Sequence, residues 1–196
     1  MNFEKIYEDK KNSFLFNNSI EFENLRLNLL KEFNLSPKNI SNNESLKHLD
    51  PDVLKFEYNY NVKNNKINFC DDVDMKDSIN IDVIDGKINK VQSNEDNKKN
   101  LFINNIENKN NQICNKFLLF QKYFSNDYIL NLNSIFLNSG YELNINKNKK
   151  IIISINNVIS KDKHTLFQKN FIKCANHSNV LILEEFNLEK SSNNNI

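Results

Sequence analysis

The sequence predicts a mixed α and β protein, with a helical N-terminal region, a short hairpin and then a run of strands. Three observations predict it. Apolar residues recur at helical spacing at Phe22, Leu25, Leu29 and Phe33, and again at Ile113, Phe117, Phe120 and Phe124. Period-two alternation takes over at Ile79, Ile81 and Val83, and at Tyr141, Leu143 and Ile145. After Gly140 the helical spacing does not return, and successive short strands without helices between them fit a sandwich, a barrel or a β-solenoid.

The first helix is expected over residues 19–33, with Asn18 and Glu21 forming a capping-box start and Asn34 with Pro37 marking the stop. Asp85-Gly86 between Val83 and Ile88 is a strong hairpin signal, because such a turn demands positive φ. Residues 89–100 and 103–112 are rich in Lys, Asn and Glu without Gly or Pro, and read as padded, mobile surface. Ile113, Phe117, Phe120 and Phe124 form a helical core stripe, followed after a Ser125-Asn126-Asp127 break by Tyr128, Leu132 and Ile135. Strands are expected at residues 141–145, 151–155, 166–172 and 180–185. The expected organisation is an N-terminal region over 1–125, helical with a hairpin near 79–91, and a β core that starts over 126–196.

Composition bounds the function. The chain has 196 residues, of which 42 are Asn, 25 Lys and 22 Ile, against one Ala and one Arg. Such a skew is the mark of A/T-biased codons more than of chemistry. Charge is 26 Lys and Arg less 25 Asp and Glu, or +1, so no global field steers the chain to nucleic acid or an anionic membrane. With Arg26 as its sole guanidinium, a reader of DNA bases is not expected. No apolar run approaches the roughly 20 residues of a bilayer span, and the N-terminus mixes both charge signs without an apolar stretch. A cytoplasmic protein is expected.

No catalytic, cofactor or metal constellation is visible. Cys70, Cys114 and Cys174 are odd in number and widely spaced, which suits reduced thiols. Cys174 and His177 make one C-x-x-H step, but a metal site needs about four ligands and no second pair is present. Asp71, Asp72 and Asp74 lack the Gly and closing Glu of a calcium loop and read as a solvated acidic turn. His48, His164 and His177 lie far apart, and no Ser or Cys has a nucleophile context. Glu184, Glu185 and Glu189 follow the last strand and read as a solvated face.

In their order, several segments resemble the SufB/SufD family of iron–sulfur cluster assembly scaffolds, most closely the N-terminal half of SufD. Pro37 followed by Glu44-Ser45-Leu46-Lys47-His48-Leu49-Asp50 is similar to a Glu-x-Trp-Lys-Tyr-Thr-Asp motif, with Leu46 and His48 in place of the Trp and Tyr. Ile81-Asp82-Val83-Ile84-Asp85-Gly86-Lys87 is similar to the family's strand and Gly turn. The most specific piece is Leu132-Asn133-Ser134-Ile135-Phe136-Leu137-Asn138-Ser139-Gly140, which resembles Leu-Asn-x-Ala-Phe-x-x-x-Gly ahead of an apolar strand. Ser178-Asn179-Val180-Leu181-Ile182-Leu183-Glu184-Glu185 resembles a later family strand, whereas residues 151–155 lack the Pro-Ile that precedes theirs.

The resemblance implies a helical region followed by the first rungs of a right-handed parallel β-helix, a solenoid truncated at Ile196. Residues 126–196 would then be the start of the β-helix core. It implies a non-enzymatic scaffold subunit of the SUF system that pairs with SufB-like and SufC-like proteins. No cofactor is expected on this segment, the iron–sulfur cluster entering only at the level of the complex. A stand-alone β-solenoid binding module, a degenerate fragment without activity, and an enzyme with an unrecognised site are the alternatives.

Overall fold

A computed structural model describes residues 3–35, 78–94, 99–124, 127–146, 150–160 and 166–188. The chain falls into two compact units, a helical one of Met1–Tyr60 with Ile106–Asn138 and a strand unit of Asn61–Asn105 with Ser139–Ile196. The Pro37 to Asp50 motif, Cys70, Asp71, Asp72, Asp74, His164 and Glu189 lie outside the described residues.

The helical unit contains α1 (Phe3–Lys10), a 3-10 turn (Lys11–Ser13), α2 (Ile20–Leu35), α3 (Asn111–Tyr123) and α4 (Tyr128–Phe136). Ser19, not Asn18, starts α2: its Oγ accepts from the Phe22 N–H at 3.2 Å and donates to Glu21 Oε2 at 3.2 Å. The buried stripe of α2 is Phe22, Arg26, Leu29 and Leu30, so Arg26 occupies the place expected for Leu25. Asn110 and Asp127 cap α3 and α4 through side-chain oxygens that accept from Ile113 N and Leu130 N.

The expected core stripe on α3 is corrected beyond its first turns. Ile113, Cys114, Phe117 and Gln121 are buried, while Phe120 and Phe124 are exposed. The helix turns its Gln121 face inward because the amide finds partners there. It donates to Asn131 Oδ1 and accepts from Ser134 Oγ, both on α4.

The strand unit holds β1 (Ser78–Ile84), β2 (Lys87–Gln92), β3 (Leu101–Asn105), β4 (Tyr141–Ile145), β5 (Lys150–Ile159), β6 (Phe171–Cys174) and β7 (Asn179–Leu188). They make a four-stranded sheet in the order β2-β1-β5-β7 and a three-stranded sheet in the order β3-β4-β6. Asp85 (φ 48°) and Gly86 (φ 75°) supply the positive-φ pair that reverses β1 into β2. The Asp85 carboxylate is buried, accepting from Ser160 N at 2.9 Å and Ser160 Oγ at 2.8 Å, which ties this turn to the end of β5.

The right-handed parallel β-helix is overturned. Among the described residues the strands form two mixed, open sheets, with no closed or solenoid sheet. The pairs β1–β5, β5–β7 and β4–β6 are parallel, but β1–β2 and β3–β4 are antiparallel. The Asp85-Gly86 turn returns the chain into its own sheet, whereas a solenoid rung carries it forward to the next face. Residues 103–105 of β3 fall in a stretch expected to be padding, and in place of the 166–172 strand stand Phe171–Cys174 and an isolated bridge from Gln168 to Ser139.

The core of the strand unit is Ile79, Ile81, Val83, Leu101, Tyr141, Leu143, Ile145, Ile151, Ile153 and Ile155. Burial alternates along β4 and β5, so each strand turns every second side chain into this core. At about 1.5–3 kcal/mol for each fully buried large aliphatic side chain, these rows are the main stabilising term. Among the described residues, no helix is long and apolar enough to cross a membrane.

Candidate interaction edge

β6 and β7 end their respective sheets, and no further strand pairs with either among the described residues. Registered pairs place Val180 beside Ile151, Ile182 beside Ile153, Glu184 beside Ile155 and Phe186 beside Asn157. These four side chains of β7 therefore continue the inward rows of the sheet. On β6, Ile172 and Cys174 do the same beside Leu143 and Ile145. The rows lose burial at this last step. Asn157 is 4% exposed and Leu143 0%, whereas their neighbours Phe186 and Ile172 are 66% and 40% exposed; Val180 and Ile182 stay partly buried against the core. Leu181 and Leu183, on the other face of β7, are exposed as well.

A polar hub sits in the same rows. Tyr141, fully buried on β4, donates its hydroxyl to Glu184 Oε1 at 3.2 Å. Asn157, buried on β5, donates Nδ2 to the same oxygen at 2.8 Å and to the Glu185 carbonyl at 3.3 Å. Asn157 Oδ1 is buried without a hydrogen-bond partner. Burial, and then the Glu184 carboxylate, push the Tyr141 phenol above its ordinary range, so it stays a neutral donor. The hub thus presents acceptors: a carboxylate held by two donors, and a free amide oxygen.

The opposite edge is finished differently. There the Asn105 side chain at the end of β3 accepts from Ile88 N at 2.7 Å and donates to Ile88 O at 3.4 Å. It serves β2 as a neighbouring strand would, meeting one N–H and one C=O.

The helical unit contains a hub that sequence reasoning missed. Arg26, the sole arginine, is fully buried. Its Nε donates to the Ile135 carbonyl at 3.0 Å and its Nη2 to the Leu15 carbonyl at 2.6 Å, and it lies over the Phe22 ring at 4.6 Å and the Phe14 ring at 5.5 Å. Burial lowers its pKa to about 10, with Tyr7 and Glu23 opposing the shift. Tyr7 donates its hydroxyl to Glu23. This guanidinium fastens α2 to the segment before it and to α4; it meets two main-chain carbonyls and two ring faces, and reads as a core bracket. The only sequence signal was its solitude in a chain rich in Lys.

The weighed candidates do not come together. Cys174 is exposed at the end of β6, and His177 (φ 62°) is an exposed turn residue between β6 and β7. The C-x-x-H step spans a turn closed by Ser178, whose N–H and Oγ both donate to the Ala175 carbonyl. Cys114 is buried beside Ser19, and its surroundings push the thiol up. Among the described residues, no group of three His, Cys, Asp or Glu is placed to hold a metal. Glu184 is exposed, as expected of a solvated face, and its Oε1 is in addition held by the hub.

Comparison with known proteins returned no matching family model, no matching curated protein and no matching solved structure.

Proposed function

We propose that this chain is a non-catalytic interaction subunit that receives a strand of another protein on its β6/β7 edge. One observation carries the reading: a ten-residue strand, β7, closes the larger sheet while Phe186 in its inward row and Leu181 and Leu183 on its other face stay exposed. Long apolar edges are templates for added strands, because main-chain groups supply affinity and alternate side chains supply fit. The specific form we propose is a SufD-like scaffold subunit of iron–sulfur cluster assembly. The ordered motifs support it, above all Leu132 to Gly140 leading into β4.

The test is co-expression of the full chain with the SufB-like and SufC-like proteins of the same source, followed by size-exclusion chromatography with light scattering. A stoichiometric complex containing the SufB-like protein is the expected result. A folded, soluble chain eluting apart from both overturns the SUF assignment.

A further inference from the structure

We propose that Glu184 selects the strand that docks on this edge, admitting one with a lysine or arginine in the row it shares and refusing β7 or β2 of a second copy. This rests on the docking role proposed above and names the chemistry of the partner. The row runs Val91, Ile81, Ile155, Glu184 across the sheet, so three aliphatic side chains end in a carboxylate. A strand added beyond β7 covers Glu184 and removes it from water. A carboxylate buried in this way needs a charged or multiply donating partner, since isolated burial is costly.

The groups already around Glu184 define what fits. Tyr141 and Asn157 spend their donors on Oε1, and Asn157 Oδ1 remains a buried acceptor without a partner. Unfilled capacity at the hub is thus for donors. An ammonium or guanidinium group supplies several donors and the compensating charge together.

The same rows argue against pairing with β7 or β2 of a second copy. Directly opposed residues in a sheet share a face, so a β7 strand from a second copy meets Glu184 with Val180, Ile182, Glu184 or Phe186. None is a cation. β2 of a second copy does no better. Its Lys87 and Lys90 are in register with Ile84 and Asp82, outside the inward rows, and its Ile88 main chain is taken by Asn105.

The experiment uses the full chain and fluorescein-labelled peptides of β7's length, alternating valine and threonine, with one central valine replaced by lysine, norleucine or glutamate. Fluorescence anisotropy is expected to show the lysine peptide binding about tenfold or more tighter than the norleucine peptide, with the glutamate peptide weakest. Glu184→Gln removes that preference, and Glu184→Lys transfers it to the glutamate peptide. Circular dichroism checks that both variants, altered at an exposed residue, remain folded. Equal affinity for the lysine and norleucine peptides, an unchanged preference in Glu184→Gln, or binding of no peptide overturns the inference. Lysine-selective binding without association with SufB-like or SufC-like proteins overturns only the SUF assignment. A SUF complex untouched by Glu184→Lys overturns only the role of Glu184.

Discussion

At one edge of the strand unit, β2 carries Lys87 and Lys90, a register shift against β1 between Asp82 and Val83, and a main chain held by the Asn105 amide. At the other, β7 runs for ten residues in unbroken parallel register with β5 and exposes Leu181, Leu183 and Phe186. Charged side chains, lysines above all, and irregular register are usual means of blunting an edge. The first edge combines lysines, a register shift and the Asn105 clasp, whereas the second keeps a regular strand whose charges are Glu184 and Glu185 alone. The contrast argues that the open edge has a use, because the same chain shows how it closes an edge that needs no partner.

The largest expected effect tests the rows that join the two edges. Ile155→Ala removes a fully buried side chain from the row between Val91 and Glu184, and is expected to cost about 3 kcal/mol in urea unfolding, affecting both edges alike. Next comes the turn that makes the first edge. A Cβ on Gly86 lands 2.3 Å from Ser139 Oγ and 2.8 Å from Ser139 Cβ, at φ 75°. Gly86→Ala is expected to cost about 2 kcal/mol, with part recovered by Ser139→Gly in a double-mutant cycle. The β2/β3 edge then suffers and β7 does not, which hydrogen exchange distinguishes.

A smaller effect sharpens the comparison directly. Asn105→Ala frees the Ile88 N–H and C=O and is expected to cost about 1 kcal/mol. It also makes the clasped edge resemble the open one, so concentration-dependent association in analytical ultracentrifugation should rise. Smallest in stability is Leu183→Lys on β7, expected within about 0.5 kcal/mol of the parent because the side chain is already exposed. Its effect should appear in partner binding alone. A large loss of stability would mean that β7 is already covered.

Local chemistry was legible before the structure. The Asp85-Gly86 reversal, the alternation of β4 and β5 and the helical periods all follow from short-range rules, and α2, β1, β4, β5 and β7 lie close to where those rules place them. Less legible was which residue of a stripe faces inward. On α2, Arg26 takes the position expected for Leu25, and on α3 Gln121 is buried while Phe120 is not. In both, a polar group won its place through partners distant in sequence, Leu15 and Ile135 for Arg26, Asn131 and Ser134 for Gln121. Glu184 is exposed as expected, and only its partners were not legible, for the same reason. Its partners Tyr141 and Asn157 come from two other strands.

The sequence by itself determined the types of α2, α3, α4, β1, β4, β5 and β7 and the hairpin turn, since each depends on residues within a few positions of one another. Tertiary structure alone decided strand order, the two open sheets in place of the expected solenoid, and which edge has no neighbour among the described residues. Those outcomes depend on pairings such as Ile81 with Ile155 and Ile155 with Glu184. Hydrophobic alternation says that a strand has an inner face, but it is equally satisfied by many neighbours, and only the assembled sheet selects among them.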